Sequence, residues 1–134
     1  MQYTTGILLE SPDGDLIFQH RDNVPFIRDP GMISTFGGHS EPEDNGAVGT
    51  AARELEEETG LKIKTSKFKH LATFNMNKRM KSTTEYVYLV KNVNPNKIDL
   101  REGQGVVVIS KGHDLAKLNL APFSRYLINL YWKV

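Results

Sequence analysis

Hydrophobic and polar positions along the first part of the chain predict two β-strands. The segments YTTGILLE and DLIFQH are rich in apolar and β-branched residues, and the turn-forming sequence SPDG lies between them. Asp and Gly suit the backbone angles of a tight turn, so a strand-turn-strand opening is expected. A loop with prolines and charged residues follows, and MISTF then predicts a short strand that ends at Gly37 and Gly38.

The middle of the chain changes to a helical pattern. We expect a helix from about Ala47 to Thr59, with Asp44 or Asn45 available to cap its N-terminus. Gly60 comes just past the C-terminus, where glycine is favoured. The helix therefore lies between the glycine pair and the second half of the chain.

Strands fill the second half until a final helix. The segments LKIKTSKFKHLATFNM and TTEYVYLVKNV, joined through NKRMKS, predict two strands, and GVVVIS predicts another. Behind Pro122, apolar residues at helical spacing predict an amphipathic helix packed on a sheet: Phe123, Tyr126, Leu127, Leu130 and Tyr131. We interpret Phe123 and Trp132 as core residues. The mixture predicts an α+β fold or a three-layer sandwich.

Composition narrows the class of protein. The chain has 134 residues, 39% hydrophobic and 25% charged, which predicts a single domain, 1–134, with its own core. It has no cysteine, which excludes disulfides, thiolate metal sites and a cysteine nucleophile. The N-terminus lacks the pattern of a signal peptide, and no apolar run is long enough to span a membrane. We therefore expect a cytoplasmic protein with no membrane contact.

Charge is distributed unevenly along the chain. Residues 1–67 carry a net charge of −6 and residues 68–134 a net charge of +7. A fold can interleave its two halves, so this contrast alone decides nothing. It is also typical of an acidic centre that gathers cations, bordered by basic residues that attract an anion. A metal-assisted reaction on a phosphorylated substrate would use both.

Four glutamates crowd the middle helix. On a helix with about 3.6 residues per turn, Glu54, Glu57 and Glu58 share one face, and Glu56 points elsewhere. Carboxylates one turn apart repel each other, and a bound Mg²⁺, which prefers oxygen ligands, would relieve that repulsion. Arg53 is placed to pair with Glu57 or to reach back into the preceding loop. A solvent-facing charged helix explains the same glutamates and stays open at this point.

The stretch GGHSEPEDNGAVGTAARELEEETGL resembles the signature of the Nudix hydrolases, G-x5-E-x7-R-E-U-x-E-E-x-G-U, in which U is a bulky aliphatic residue. Gly38, Arg53-Glu54-Leu55, Glu57-Glu58 and Gly60-Leu61 match it. The loop departs from it, because Arg53 follows Gly38 by 15 positions where the pattern has 14. The first glutamate of the pattern therefore corresponds to Glu43 or Asp44, and either could hold Arg53.

The resemblance covers essentially the whole chain and is closest to small members of the MutT type. It implies the Nudix α/β/α sandwich, with a mixed sheet between helices, and hydrolysis of a phosphoanhydride in a nucleoside diphosphate linked to a group X, with Mg²⁺ or Mn²⁺. It implies metal ligation by Glu54, Glu57, Glu58 and the carbonyl of Gly38, with Arg53 orienting them. Glu102, in REGQG, matches a late glutamate that serves such members as metal ligand or general base.

Substrate specificity lies outside the signature. A nucleoside triphosphate, including an oxidised one, is the leading substrate. ADP-ribose, a nucleotide sugar, a dinucleoside polyphosphate and capped RNA stay open, as does a nucleotide-sensing module without activity. Candidates for substrate contact are Arg21, Arg28 and His39, together with Lys78 and Arg79 in a basic loop whose charges a solvated turn explains as well. Phe26, Tyr86 and Phe123 could stack on a base, although core packing is expected of each. Nucleic-acid binding is not expected, and a homodimer is left open.

Overall fold

The computed structural model describes residues 2–78 and 81–133. Seven strands and two α-helices occur in these ranges, with short 3₁₀ turns at Thr65–Lys67, Pro95–Lys97 and Leu115–Lys117. In chain order they are β1 Thr4–Glu10, β2 Leu16–His20, β3 Ile33–Ser34, β4 Phe36–His39, α1 Gly46–Thr59, β5 Lys69–Lys78, β6 Lys81–Val90, β7 Gly105–Ile109 and α2 Pro122–Trp132.

All seven strands join one mixed sheet, and β1 is its central strand. The order along the sheet is β3-β2-β1-β6-β5, while β4 also pairs with β1 and β7 also pairs with β2. The pairing of β1 with β6 is parallel, and the other pairings are antiparallel. Thr5 therefore lies between Gly38 of β4 and Tyr86 of β6. This arrangement sets the glycine pair beside the middle of the sheet.

Each face of the sheet packs against one helix. Ile7 and Leu9 of β1 belong to the hydrophobic cluster that includes Leu55 of α1. Leu8, which points to the opposite face because side chains alternate along a strand, belongs to a second cluster with Ile128 of α2. The predicted α/β/α sandwich is confirmed, and its two cores lie on either side of β1.

The helix ends follow the sequence signals in part. The helix α1 begins one residue earlier than expected, and Gly60 ends it in the left-handed conformation (φ 73°), with its N–H donating to the carbonyl of Glu56. Asn45 occupies the N-cap position but makes no side-chain capping hydrogen bond. The side chain of Asp44 does not cap the helix and accepts hydrogen bonds from Arg53. The proline at the start of α2 was predicted and is confirmed.

The prediction for MISTF was wrong in one respect. The segment divides into β3 and β4 at Thr35, and the glycine pair lies inside β4 instead of following the strand. Gly37 has φ 148°, and a Cβ there would overlap the backbone oxygen of Thr5 on β1. Glycine is therefore required for β4 to approach β1 at this point.

Three further expectations need correction. Residues 61–68 are not a strand: they form an irregular segment with one 3₁₀ turn before β5 begins at Lys69. Phe26 is not a core residue, because 86% of its surface is exposed. Phe123 is half-buried outside both core clusters, whereas Trp132 packs against the cluster on the α2 side. Within residues 2–78 and 81–133, no helix is long and apolar enough to cross a membrane.

Candidate active site

A cleft of about 410 Å³ opens between the sheet, the start of α2 and the loop that follows β2. Six of the residues expected from the sequence line it: Arg21, Arg28, Gly38, His39, Glu58 and Glu102. A larger cavity, of about 530 Å³, lies at the other end of β6 and contains none of the expected site residues. The chemistry of the smaller cleft, and not its size, makes it the candidate active site.

Glu58 is the most deeply placed carboxylate of α1. It is 3% exposed and its oxygens accept hydrogen bonds from the backbone N–H of Gly37, at 3.0 Å, and from the side-chain amide of Gln19, at 3.4 Å. Burial raises the pKa of Glu58 to about 8, and the nearby carboxylates of Glu54 and Glu102 add to the rise. Glu58 therefore stands in a place where a positive charge would be stabilising.

Glu54 lies against Gly38, one turn before Glu58. A Cβ at Gly38 would overlap the Glu54 carboxylate, so only glycine permits this close approach. Burial raises the pKa of Glu54 above its usual range, and the charges of Glu57 and Glu102 act in the same direction. The hydroxyl of Thr5 donates a long hydrogen bond, of 3.4 Å, to the Gly38 carbonyl. Gly38 lines the cleft, and the Glu54 carboxylate packs against it.

Arg53 links the helix to the loop before it. Its Nε and Nη2 donate to both oxygens of Asp44, at 2.7 and 3.0 Å, and Nη2 also donates to the carbonyl of His39 at 2.9 Å. The Asp44 side chain is 4% exposed and also accepts from the hydroxyl of Thr50. The Arg53 guanidinium holds the pKa of Asp44 well below its usual range. Of the two residues left open by the sequence, Asp44 is the one that holds Arg53.

The same guanidinium also contacts the carboxylates of α1. Its Nη1 lies 3.0 Å from Glu54 Oε1 and 3.0 Å from Glu57 Oε2. Arg53 thus offsets part of the repulsion between Glu54 and Glu57. The Glu57 side chain is half exposed and stands apart from the buried Glu58. The three glutamates occupy one region of the helix, but at three different depths.

The loop before β7 brings Glu102 to α1. The backbone N–H groups of Asp99 and Arg101 donate to the carbonyls of Thr59 and Glu58, both at 2.9 Å. These bonds satisfy carbonyls that the end of a helix leaves free. Glu102 is exposed, lines the cleft, and is close enough to raise the pKa of both Glu54 and Glu58. The fold therefore brings together carboxylates from two distant parts of the chain, α1 and the loop before β7.

The donor atoms of this region fit a hard divalent cation. Glu54, Glu58 and Glu102 offer carboxylate oxygens whose mutual repulsion a cation would offset, and carboxylate oxygen is the preferred ligand of Mg²⁺. Across the described ranges, however, no three or more His, Cys, Asp or Glu residues are drawn together as a group that could hold an ion. Arg53 occupies part of the carboxylate surface. Ligand assignment to Gly38, Glu54, Glu57, Glu58 and Glu102 stays a prediction.

The basic candidates are placed in part. Arg21 and Arg28 border the cleft in one loop, where Arg21 Nε donates to the carbonyl of Arg28 at 2.8 Å. His39 also lines the cleft and follows Gly38 in β4. Arg79 and the side chain of Lys78 lie outside the described residues, so their predicted contact with substrate is untested.

Two polar residues of the site were missed in the sequence. Gln19 is buried and holds Glu58, and Glu85 is a buried carboxylate in the floor of the cleft. Each occupies an inward-facing position of its strand: Gln19 shares the face of Ile17, and Glu85 shares the face of Val87 and Leu89. A polar side chain at an inward position of a strand is the signal that would have found both.

Comparisons with known proteins identify the family and the fold. The NUDIX domain family matches residues 1–131. A MutT protein from Methanosarcina mazei Go1 has a similar structure, with a TM-score of 0.80 and 18% identity over 98% of this chain and 92% of that one. No curated protein matches the sequence.

Two other structures share the fold. The NUDIX domain of Shewanella oneidensis NrtR, in complex with ADP ribose, has a TM-score of 0.73 and 19% identity over 98% of this chain and 86% of that one. A bifunctional NMN adenylyltransferase/ADP ribose pyrophosphatase from Francisella tularensis, complexed with AMP and Mn ion, has a TM-score of 0.73 and 17% identity over 98% of this chain and 41% of that one. At these identities the likeness establishes the fold alone.

Proposed function

This chain belongs to the Nudix family of phosphoanhydride hydrolases, and from that premise we propose that it cleaves a nucleoside diphosphate linked to a group X. A nucleoside triphosphate is the leading substrate, with Mg²⁺ or Mn²⁺ as the cofactor. The single domain expected over residues 1–134 is compatible with the family match over residues 1–131.

One observation carries the proposal: Glu58 of α1 and Glu102 of a distant loop meet at the same cleft. The loop is tied to the end of α1 by the N–H groups of Asp99 and Arg101, so the meeting is built into the backbone. Burying an acid beside further carboxylates lowers the stability of the protein and raises the pKa of the acid. Groups of this kind are typical of functional sites. Binding of a cation and a polyphosphate is the purpose that these groups fit.

The residues of the chain would divide the work as follows. A bound divalent cation supplies charge neutralisation for the phosphoanhydride and lowers the pKa of attacking water. Glu54, Glu57, Glu58 and the Gly38 carbonyl would hold it. Arg53, fixed by Asp44, keeps Glu54 and Glu57 in place. Glu102, exposed at the mouth of the cleft, would accept a proton from water or orient it.

The basic border of the cleft supports an anionic substrate. Arg21 and Arg28 border the cleft, where they could contact phosphates or the leaving group X. A volume of about 410 Å³ lies within the range of small-molecule sites and is compatible with a nucleotide. ADP-ribose, nucleotide sugars and dinucleoside polyphosphates are the alternative substrates.

Turnover of a defined panel tests the proposal. Purified protein is incubated with and without Mg²⁺ in the presence of nucleoside triphosphates, 8-oxo-dGTP, ADP-ribose, nucleotide sugars and diadenosine polyphosphates, and the products are separated by chromatography. We expect one class to be cleaved at the phosphoanhydride, only with metal. Absence of cleavage across the panel, in folded protein that binds Mg²⁺, would contradict hydrolysis of these substrates.

A nucleotide sensor is the rival function, and one observation favours it. Arg53 already pairs with Glu54 and Glu57, so the protein offsets part of its own carboxylate charge. A sensor would bind nucleotide with high affinity and leave it intact. Equilibrium binding of ADP-ribose without release of AMP, in the presence of Mg²⁺, is the result expected of a sensor and not of a hydrolase.

A further inference from the structure

Glu85 is a buried carboxylate that the proposed reaction does not use. It lies on β6, 5% exposed, in the floor of the cleft and on the face of the sheet that carries α2. Thr4 is its neighbour on β1, and the Thr4 hydroxyl donates a hydrogen bond of 2.7 Å to Glu85 Oε1. This is a short bond from a neutral donor, and it satisfies one oxygen.

The second oxygen has no such partner. Oε2 lies over Gly6, where a Cβ would come within 3.2 Å of it, and no hydrogen bond among the described residues reaches it. Nor does any described Lys, Arg or His form an ion pair with Glu85. A carboxylate accepts about four hydrogen bonds, and burying one with a single donor is costly. The side chain is therefore arranged to accept hydrogen bonds from something that enters the cleft.

Aromatic rings stand beside this carboxylate. Phe74 of β5 is directly opposite Glu85 in the sheet, and residues opposite each other in an antiparallel pair project to the same face. The ring of Phe74 contacts that of Phe123 edge to face, with centroids 5.3 Å apart, and Phe123 lines the cleft. Phe123 and Glu85 thus line the same cleft, one as an aromatic ring and the other as an acceptor.

The chemistry of Glu85 limits which part of a nucleotide can lie there. A phosphate would be repelled by an ionised carboxylate, so the polyphosphate belongs near the cation and the arginines. The group complementary to Glu85 is neutral and carries two adjacent donors. A base with neighbouring N–H groups and the diol of a ribose both meet that description, but the aromatic wall favours the base, because bases stack on aromatic rings.

We propose that Glu85 selects the nucleobase, accepting hydrogen bonds from two adjacent N–H groups of the kind that guanine presents at N1 and N2. The inference rests on the proposed function only in taking a nucleotide as the ligand. Adenine offers an acceptor at N1 beside one donor, so one Glu85 oxygen would face a lone pair. Hypoxanthine keeps the N1 donor and lacks the amino group at N2.

Binding of nucleoside monophosphates tests the inference without any turnover. Isothermal titration of the full chain with GMP, IMP, AMP and dGMP is expected to give GMP an affinity at least about tenfold above IMP and AMP, since a hydrogen bond to a charged group is worth that much. Deoxyguanosine monophosphate should match GMP. Equal affinities for GMP and IMP would overturn the inference, as would failure of all four to bind. A tenfold loss for dGMP would overturn it in favour of the ribose diol.

The variant Glu85→Gln provides a second test, because its base preference should be the reverse of that of the wild type. An amide offers one acceptor and one donor, so its preference should move from GMP towards AMP, whose edge has the matching pattern. Glu43→Gln, at an exposed position outside the cleft, is the matched control and should keep the preference for GMP. Unchanged selectivity in folded Glu85→Gln would contradict the inference. A protein that selects GMP in this way but cleaves no phosphoanhydride would keep the inference and lose the proposed function.

Discussion

The guanidinium of Arg53 donates hydrogen bonds to both oxygens of Asp44, at 2.7 and 3.0 Å, and this pair fixes the loop before α1. The neighbouring Glu43 is exposed. Bidentate pairs of this kind are short, strong and directional. The pair therefore determines where Arg53 can place its remaining donor, which faces Glu54 and Glu57.

Replacing Asp44 with Asn should loosen both the loop and the carboxylates. We expect Asp44→Asn to lower the free energy of unfolding by about 1.5–3 kcal/mol, the usual worth of hydrogen bonds to charged groups, and to reduce turnover. Urea unfolding measures the stability. Glu43→Gln is the control and should unfold like the wild type. Equal losses in the two variants would show that Asp44 has no special part.

The same pair predicts a dependence on pH. The pKa of Asp44 is lowered in the folded protein, whereas an Asp in the unfolded chain has a pKa of about 3.9. The unfolded chain then binds more protons in acid, so the stabilisation is complete above about pH 5 and is lost as the pH falls through 3.9 and below. The difference in stability between wild type and Asp44→Asn should therefore shrink from pH 6 to pH 3. A constant difference would contradict the lowered pKa.

Glu58 predicts that stability changes with pH in the opposite direction when no divalent metal is present. The pKa of Glu58 is raised to about 8 in the folded protein, whereas a Glu in the unfolded chain has a pKa of about 4.3. Between these values the folded protein binds more protons than the unfolded chain, so this group lowers stability as the pH rises. Thermal unfolding with a chelator should show that decline in the wild type and less of it in Glu58→Gln. Parallel profiles for the two proteins would contradict it.

The close approach of Glu54 to Gly38 predicts that a single methyl group is harmful. Gly38→Ala should push the Glu54 carboxylate aside and reduce kcat by about tenfold or more. Its backbone is not in the left-handed region, so folding should survive. Gly105→Ala is the matched control, because a Cβ there would meet nothing within 4 Å. Circular dichroism and steady-state kinetics compare the two, and full activity in Gly38→Ala would show that catalysis does not depend on the close approach of Glu54 to Gly38.

Much of this fold could be predicted from the sequence. The spacing of Arg53, Glu54, Glu57 and Glu58 identified the helix and its family, and Gly60 marked its end. The choice between Glu43 and Asp44 could not be made, because the inserted residue shifts the loop and only its path in space decides which side chain turns inward. Glu85 was also missed, because its importance comes from an unpaired oxygen over Gly6, and that is a property of packing between strands.

Glu102 should act on the chemical step. We expect Glu102→Gln to reduce kcat more than it raises KM, since the side chain is exposed at the mouth of the cleft and would act on water, not on substrate binding. Asp99→Asn, exposed in the same loop, is the control. An unchanged kcat with Glu102→Gln would make this carboxylate a bystander.

We propose that the carboxylates of α1 support metal-dependent cleavage of a phosphoanhydride. The most direct measurement is the Mg²⁺ dependence of turnover in the wild type and in Glu57→Gln, whose side chain is half exposed, so that the change should spare folding. We expect the wild type to need metal and the variant, at unchanged melting temperature, to lose at least about a hundredfold in kcat. A variant as active as the wild type, or turnover that is indifferent to metal, would contradict it.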